Sequence, residues 1–258
     1  MVRVHEVWKR EWLAPLLDAI YPAKCRLCGA RAEDDLACEE HGLPNGLEGA
    51  RCDRCAARLP PALPDGLRCG SCRRKRPPFP RVLALGEYES GELREWLLAL
   101  KHGKRPGLAD PLGRALGALV MRSEPSSAEA LVPVPLHPLR RFERGYDQAH
   151  LLAEAVAVVT GLPEVRALRR VRTTVPQGTP GAVSRSANVR AAFAPRARFA
   201  STLEGRSVWL VDDVLTSGST AAECTRVLAR AGVKTAGVLV VARAGIERAR
   251  ASVDSESG

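Results

Sequence analysis

Aromatic side chains are scarce in this chain: four Phe, three Tyr and four Trp make up 4% of its 258 residues. Recognition by extended stacking of bases on aromatic platforms is therefore disfavoured, because such platforms would be sparse. Long apolar runs are missing as well. No stretch of about 18 consecutive apolar residues occurs, so no membrane-spanning helix is expected. Met1 to Ile20 sets His5, Glu6, Lys9, Arg10 and Glu11 among its apolar residues and lacks the unbroken apolar centre of a secretory leader. A soluble, cytoplasmic protein is the expectation. Cysteine is nearly absent beyond residue 72: Cys224 stands alone there, while the other seven lie between Cys25 and Cys72.

The chain does have basic charge and confined cysteines. Thirty-nine Lys and Arg against 29 Asp and Glu give a formal charge of +10, which favours a polyanionic ligand or partner: a nucleotide, a pyrophosphate or a nucleic acid. Charge alone does not choose among them. The length suits one α/β domain with a small appendage, or two modest domains.

Val4, Val7, Trp8, Trp12, Leu16 and Leu17 recur at near-helical spacing and Pro22 stops the pattern, so 1–22 reads as an amphipathic lead-in helix. Residues 23–76 carry many charges and few large apolar side chains, too few to fold without a staple. The Arg73-Arg74-Lys75-Arg76-Pro77-Pro78-Phe79-Pro80 stretch marks a boundary, since prolines block regular structure and the charges prefer water. From 77 to 243 short apolar strands alternate with amphipathic helices. Strands are expected at 83–88, 131–134, 208–211 and 235–242, and helices at 93–101, 111–121, 147–159 and 220–231. The faces Ala149/Leu152/Ala153/Val156 and Cys224/Val227/Leu228/Ala231 suit helices that cover a sheet. The expected class is α/β, a mostly parallel sheet flanked by helices and preceded by a small metal module. The polar segment 244–258 reads as a flexible tail.

Cys25-x2-Cys28 is followed after nine residues by Cys38-x2-His41, and Cys52-x2-Cys55 after thirteen residues by Cys69-x2-Cys72. Two intervening residues let both donors of a knuckle reach one ion, and two knuckles complete a tetrahedron. Eight ligands thus make two structural Zn²⁺ sites, a double zinc ribbon. Sequential pairing is simplest, and a cross-braced pairing is sterically open. His41 stands where a knuckle needs its second donor.

Trp209-Leu210-Val211 runs from a strand into Asp212-Asp213, and Thr216-Ser217-Gly218-Ser219-Thr220 then leads into a helix. Backbone N–H groups in such a turn, with the positive end of the helix, suit a phosphate monoester, and Gly218 permits close backbone approach. The twin carboxylates suit vicinal hydroxyls, or Mg²⁺ through water. Upstream, Val132 to Ala149 joins a strand to a helix through a turn rich in proline and arginine. There Leu136, His137, Arg140, Arg141 and Arg144 form a candidate pyrophosphate loop, because Arg forks match such oxygens. A long aperiodic loop lies between Arg169 and Phe193.

The Val211–Thr220 segment resembles the signature of type I phosphoribosyltransferases, which bind phosphoribosyl pyrophosphate (PRPP). That resemblance implies that Asp212 and Asp213, the candidate catalytic pair, contact the ribose hydroxyls, that Thr216, Ser217, Gly218, Ser219 and Thr220 wrap the 5′-phosphate, and that Mg²⁺ accompanies PRPP. With the cysteine knuckles, the Leu98-to-Gly103 stretch, the Val-Pro-Val-Pro-Leu-His segment running to Gln148-Ala149, and Gln177, Arg185, Asn188 and Ala192-Phe193, the chain resembles the ComF family of competence proteins. The family implies mobile-loop ligand contacts at Gln177, Arg185 and Asn188. It also implies a role in natural transformation: handling single-stranded DNA alongside a helicase-like competence ATPase. His41 replaces the family's usual cysteine and Asp147 its usual asparagine, the latter expected to weaken anion affinity. An active phosphoribosyltransferase (a glycosyltransferase) on an unidentified acceptor, and a PRPP-sensing regulator, remain alternative readings.

Overall fold

The computed structural model describes residues 23–32, 37–44, 46–60, 67–89, 92–123, 127–172 and 191–245. The expected lead-in helix, nearly all of the tail, and Gln177, Arg185 and Asn188 lie outside the described residues. In chain order the elements are α1 (Gly70–Arg74), β1 (Val82–Glu87), α2 (Glu92–His102), α3 (Ala109–Arg122), β2 (Ala130–Pro133), α4 (Pro138–Arg144) and α5 (Gln148–Thr160). They continue with β3 (Leu168–Arg170), β4 (Phe193–Pro195), α6 (Ala197–Leu203), β5 (Ser207–Leu215), α7 (Ser219–Arg230) and β6 (Lys234–Arg243).

Four strands form a parallel sheet in the order β1-β6-β5-β2. Their near-continuous apolar sequences follow from being covered on both faces. Successive side chains of a strand point to opposite faces, and here they divide between two cores. Val208, Leu210, Val238 and Val240 join Val227 and Leu228 of α7. Trp209, Val211, Leu239 and Val241 join Leu93 and Trp96 of α2, Leu112 and Leu116 of α3, and Leu152 and Val156 of α5. Each fully buried Leu or Val contributes about 1.5–3 kcal/mol. Small residues let α3 and α5 pack closely: a Cβ on Gly113 would sit 2.4 Å from Ala155 Cβ, and one on Gly117 2.7 Å from Val159 Cβ.

The expected strands and helices of the sheet all form, with ends shifted by a few residues. The largest shift is in β5, which continues past Val211 to Leu215, so Asp212 and Asp213 lie within the strand, with Asp212 opposite Val240 of β6. The proline-rich turn also differs from expectation, since its arginines stand on helix α4. Pro138 occupies the first turn, His137 Nδ1 accepts from Leu139 N at 3.3 Å, and Gly145 ends the helix at φ +85°.

The N-terminal module repeats one hairpin twice. Cys25 N donates to Ala30 O at 2.7 Å and Cys52 N to Ala57 O at 2.9 Å, beside the antiparallel bridges Lys24–Arg31 and Arg51–Arg58. No helix among the described residues is long and apolar enough to cross a membrane.

Candidate functional site

The sheet order dictates where a ligand can sit. After β2 the chain moves outward through α5 on one face, and Leu131 forms a further parallel bridge to Glu164; after β5 it returns inward through α7 on the other face. Connections that part in this way leave a crevice at the carboxyl ends of the two strands. A cleft of about 310 Å³ occupies that position. Asp212, Asp213 and Thr220 line it from β5 and α7, Leu136, Arg140 and Arg144 from the other wall, and Lys101, Gln148 and Arg170 complete it.

The two acids are treated differently by their surroundings. Asp213 is buried, and its Oδ2 receives Lys101 Nζ at 3.0 Å and Gln148 Nε2 at 3.1 Å. Asp212 points to the opposite face of the strand and keeps part of its surface open, with its Oδ1 accepting from Asp213 N at 2.9 Å. Its burial, and then the charge of Asp213, push the Asp212 carboxyl well above the ordinary value of 3.8, against the pull of that amide and of Lys101. A raised folded pKa means the folded chain favours the neutral acid. The resulting penalty is absent below the ordinary value, grows as pH rises above it and is complete once pH passes the folded value. Asp212→Asn should therefore melt above the wild type at pH 7, with the gap closing towards pH 4. A lower melting temperature for the variant at pH 7 would contradict this reading.

The candidate phosphate loop, Thr216 to Thr220, begins where β5 ends. Gly218 adopts φ +74° and leads into α7; Ser219 N donates to Ser217 Oγ at 3.4 Å, and the next first-turn N–H groups have no acceptor within the helix. Thr216 and Ser217 are exposed, and Ser217 Oγ lies 3.0 Å from Ser219 Oγ. Among Thr216 to Thr220, Thr220 reaches the cleft wall itself.

On the other wall, residues four apart share a helix face, which turns Arg140 and Arg144 together into the cleft. Arg144 Nη1 is buried with no hydrogen-bond partner among the described residues. Burial, and then the charge of Arg140, lower the Arg170 pKa, while Asp212 opposes the effect. Like charges gathered around an unpartnered donor suit an anion. His137 and Arg141 do not line the cleft; His137 caps α4 instead. The Leu136 amide donates to Asp147 Oδ2 at 3.0 Å, while Asp147 Oδ1 caps α5 at His150 N, 3.5 Å away. Asp147 thus occupies the Leu136 amide, which is then not free to bond an anion.

The eight metal-ligand candidates gather sequentially, Cys25, Cys28, Cys38 and His41 in one cluster and Cys52, Cys55, Cys69 and Cys72 in the other, with donor atoms within 4.8 Å of one another in each. Either cluster can hold a metal ion, and four soft or imidazole donors match zinc. Leu27 N and Ala30 N point at Cys25 Sγ and Cys28 Sγ, both at 3.4 Å, as amides do around thiolates. Burial alone would raise the Cys25 pKa, but hydrogen bonds from the Cys28, Cys38 and Leu27 backbone bring it to about 6. His41 Nδ1 lies 3.2 Å from Cys38 Sγ, and its Nε2 faces Glu95 Oε2 at 3.5 Å. A carboxylate behind the ring fixes the tautomer that leaves Nδ1 free to ligate.

Comparison with known proteins returns relatives of nearly full length. DNA utilization protein YhgH of Salmonella typhimurium is 33% identical over 225 residues, 85% of this chain and 89% of that protein. YhgH of Escherichia coli strain K12 is 30% identical over 214 residues, 81% and 85% of the two chains. Competence protein F of Haemophilus influenzae is 38% identical over 117 residues, 45% and 51% of the two. The chain belongs to the ComF family of competence proteins. No family model matches it. Among solved structures, the glutamine PRPP amidotransferase of B. subtilis aligns at a TM-score of 0.37 and 20% identity, covering 55% of this chain and 30% of that one. Adenine phosphoribosyltransferase of Leishmania tarentolae aligns at 0.37 and 15%, covering 64% and 90%. At such scores these neighbours carry no argument, and the sheet order and flanking helices by themselves give this ComF protein its α/β class with a parallel sheet.

Four polar residues lining the cleft of this ComF protein were not legible as site residues from sequence: Lys101, His102, Gln148 and Arg170. Lys101 ends an amphipathic helix, where a lysine ordinarily offsets the helix dipole. Gln148 carried a signal, since it is a polar residue opening a helix that is otherwise apolar on its buried face. Arg170 sits on a three-residue strand that leaves no periodic trace.

Proposed function

We propose that the cleft binds PRPP with Mg²⁺ and that the chain uses this site in DNA uptake. The observation that carries the reading is the meeting of the acids of β5, the start of α7 and the arginines of α4 around one cleft at the switch point of the sheet. In this reading Asp212 and Asp213 accept hydrogen bonds from the ribose hydroxyls, Thr216 to Thr220 donate to the 5′-phosphate, and Arg140 and Arg144 pair with the pyrophosphate. Mg²⁺ would supply charge neutralisation of the departing pyrophosphate if transfer to an acceptor occurs. Arg144 enters with a buried donor already unpartnered, so pairing it with an anion removes a desolvation cost.

The test compares two ligands. Arg140→Ala with Arg144→Ala should weaken PRPP about a hundredfold or more, as loss of two charge-assisted contacts implies, while ribose 5-phosphate, lacking the pyrophosphate, binds unchanged. Equal losses for both ligands would remove the arginines from the pyrophosphate subsite.

A second activity, contact with single-stranded DNA, is supported by the names of the relatives, DNA utilization protein and competence protein, and by the formal charge of +10. Fluorescence anisotropy of a labelled single-stranded oligonucleotide should rise with protein and fall steeply with added salt, because phosphate contacts release counterions. Flat anisotropy at low salt would remove direct contact.

A further inference from the structure

Two buried arginines join the second cysteine cluster to the phosphate loop. Arg243, the last residue of β6, is 4% exposed. Its Nε donates to Cys55 O at 2.8 Å, and its Nη1 donates to Leu215 O at 2.9 Å, to Thr216 O at 2.8 Å and to Ala244 O. One side chain therefore holds a knuckle carbonyl and the first turn of the phosphate loop together. Arg54, between Cys52 and Cys55, forms the second tie. Its Nη1 donates to Pro77 O at 3.1 Å and Phe79 O at 3.0 Å. The Phe79 ring, 1% exposed, then lies against Gly218, where a Cβ would be 3.4 Å from Cζ.

Both guanidinium groups spend these donors on main-chain carbonyls, and burying such a charge is costly unless its acceptors are held in place. Four thiolates around a divalent ion leave a net negative cluster, which offsets the arginine packed inside its own knuckle. The first cluster is bonded elsewhere: Trp96 Nε1 on α2 donates to His41 O at 3.2 Å, and Arg105 donates to Leu27 O at 2.7 Å.

We infer that Arg243 and Arg54 are positioning residues through which the second metal site, Cys52, Cys55, Cys69 and Cys72, holds the Thr216–Thr220 loop in its binding shape. Loss of that metal loosens the loop, whereas loss of the first metal does not. The consequence for ligand binding rests on the phosphate-loop reading above; the coupling itself does not, and it is tested without any ligand.

Hydrogen–deuterium exchange of the full zinc-loaded chain reads two segments, 215–222 at the phosphate loop and 138–147 on the opposite wall. Cys69→Ser should speed exchange in 215–222 about tenfold and leave 138–147 within about twofold, since the lost restraint is local. Arg243→Gln should reproduce that pattern while metal analysis still returns both ions, an outcome that ligation alone does not give. His41→Ala should leave 215–222 unchanged. Should Arg243→Gln fail to fold, Arg54→Met and stepwise chelation of the wild type read the same coupling. An unchanged loop after loss of the second metal, or equal acceleration of both segments in every variant, overturns the inference.

Discussion

Asp212→Ala combined with Asp213→Ala is expected to weaken PRPP binding by about a hundredfold or more, because two carboxyl acceptors for the ribose hydroxyls, Asp213 charge-assisted, vanish together. The single variants should be unequal. Asp213 is held by Lys101 and Gln148, so its removal leaves Lys101 without its carboxylate partner in the cleft and costs stability as well as binding. Asp212 has no such clamp among the described residues and its burial disfavours the charged form, so its loss should cost binding without lowering the melting temperature at pH 7. Isothermal titration paired with thermal melts separates the two. Binding retained in the double variant would mean the sugar is held elsewhere.

The second large effect concerns metal. Cys52→Ser with Cys55→Ser should lower the metal content from two ions per chain to one and unfold the hairpin and helix α1 around that cluster. The apolar packing there consists of Leu59, the cysteines and a few alanines, worth only a few kcal/mol against the roughly 10–16 kcal/mol that structural zinc contributes in small modules. Limited proteolysis should then cut within 50–72 while the sheet persists. A variant that retains two ions, or an intact 50–72 segment without its metal, would contradict the assignment.

Much of this arrangement was readable from residue order. The C-x2-C spacing placed eight donors, and the two sequential clusters follow because each pair of knuckles lies close along the chain. The sheet strands were legible because parallel strands covered on both faces must be continuously apolar. The extension of β5 was not, since Asp212 and Asp213 have low strand propensity and only the long partner strand β6 keeps the ladder going beside them. Helix α4 was hidden by the run of prolines leading into it, Pro133, Pro135 and Pro138, although Pro138 and Gly145 are the start and stop residues that a short helix uses. Lys101 and Arg243 escaped because nothing local marks a side chain whose partners are distant in sequence. In each of them a charged terminus of a helix or strand, ordinary by itself, acquires its role from the strand end or loop packed against it.

Isothermal titration of PRPP into the wild-type, zinc-loaded chain with and without Mg²⁺ tests the central claim most directly. One PRPP per chain, bound more tightly when Mg²⁺ is present, is the expected result. Absence of binding heat at millimolar PRPP from folded protein containing both metals would contradict it.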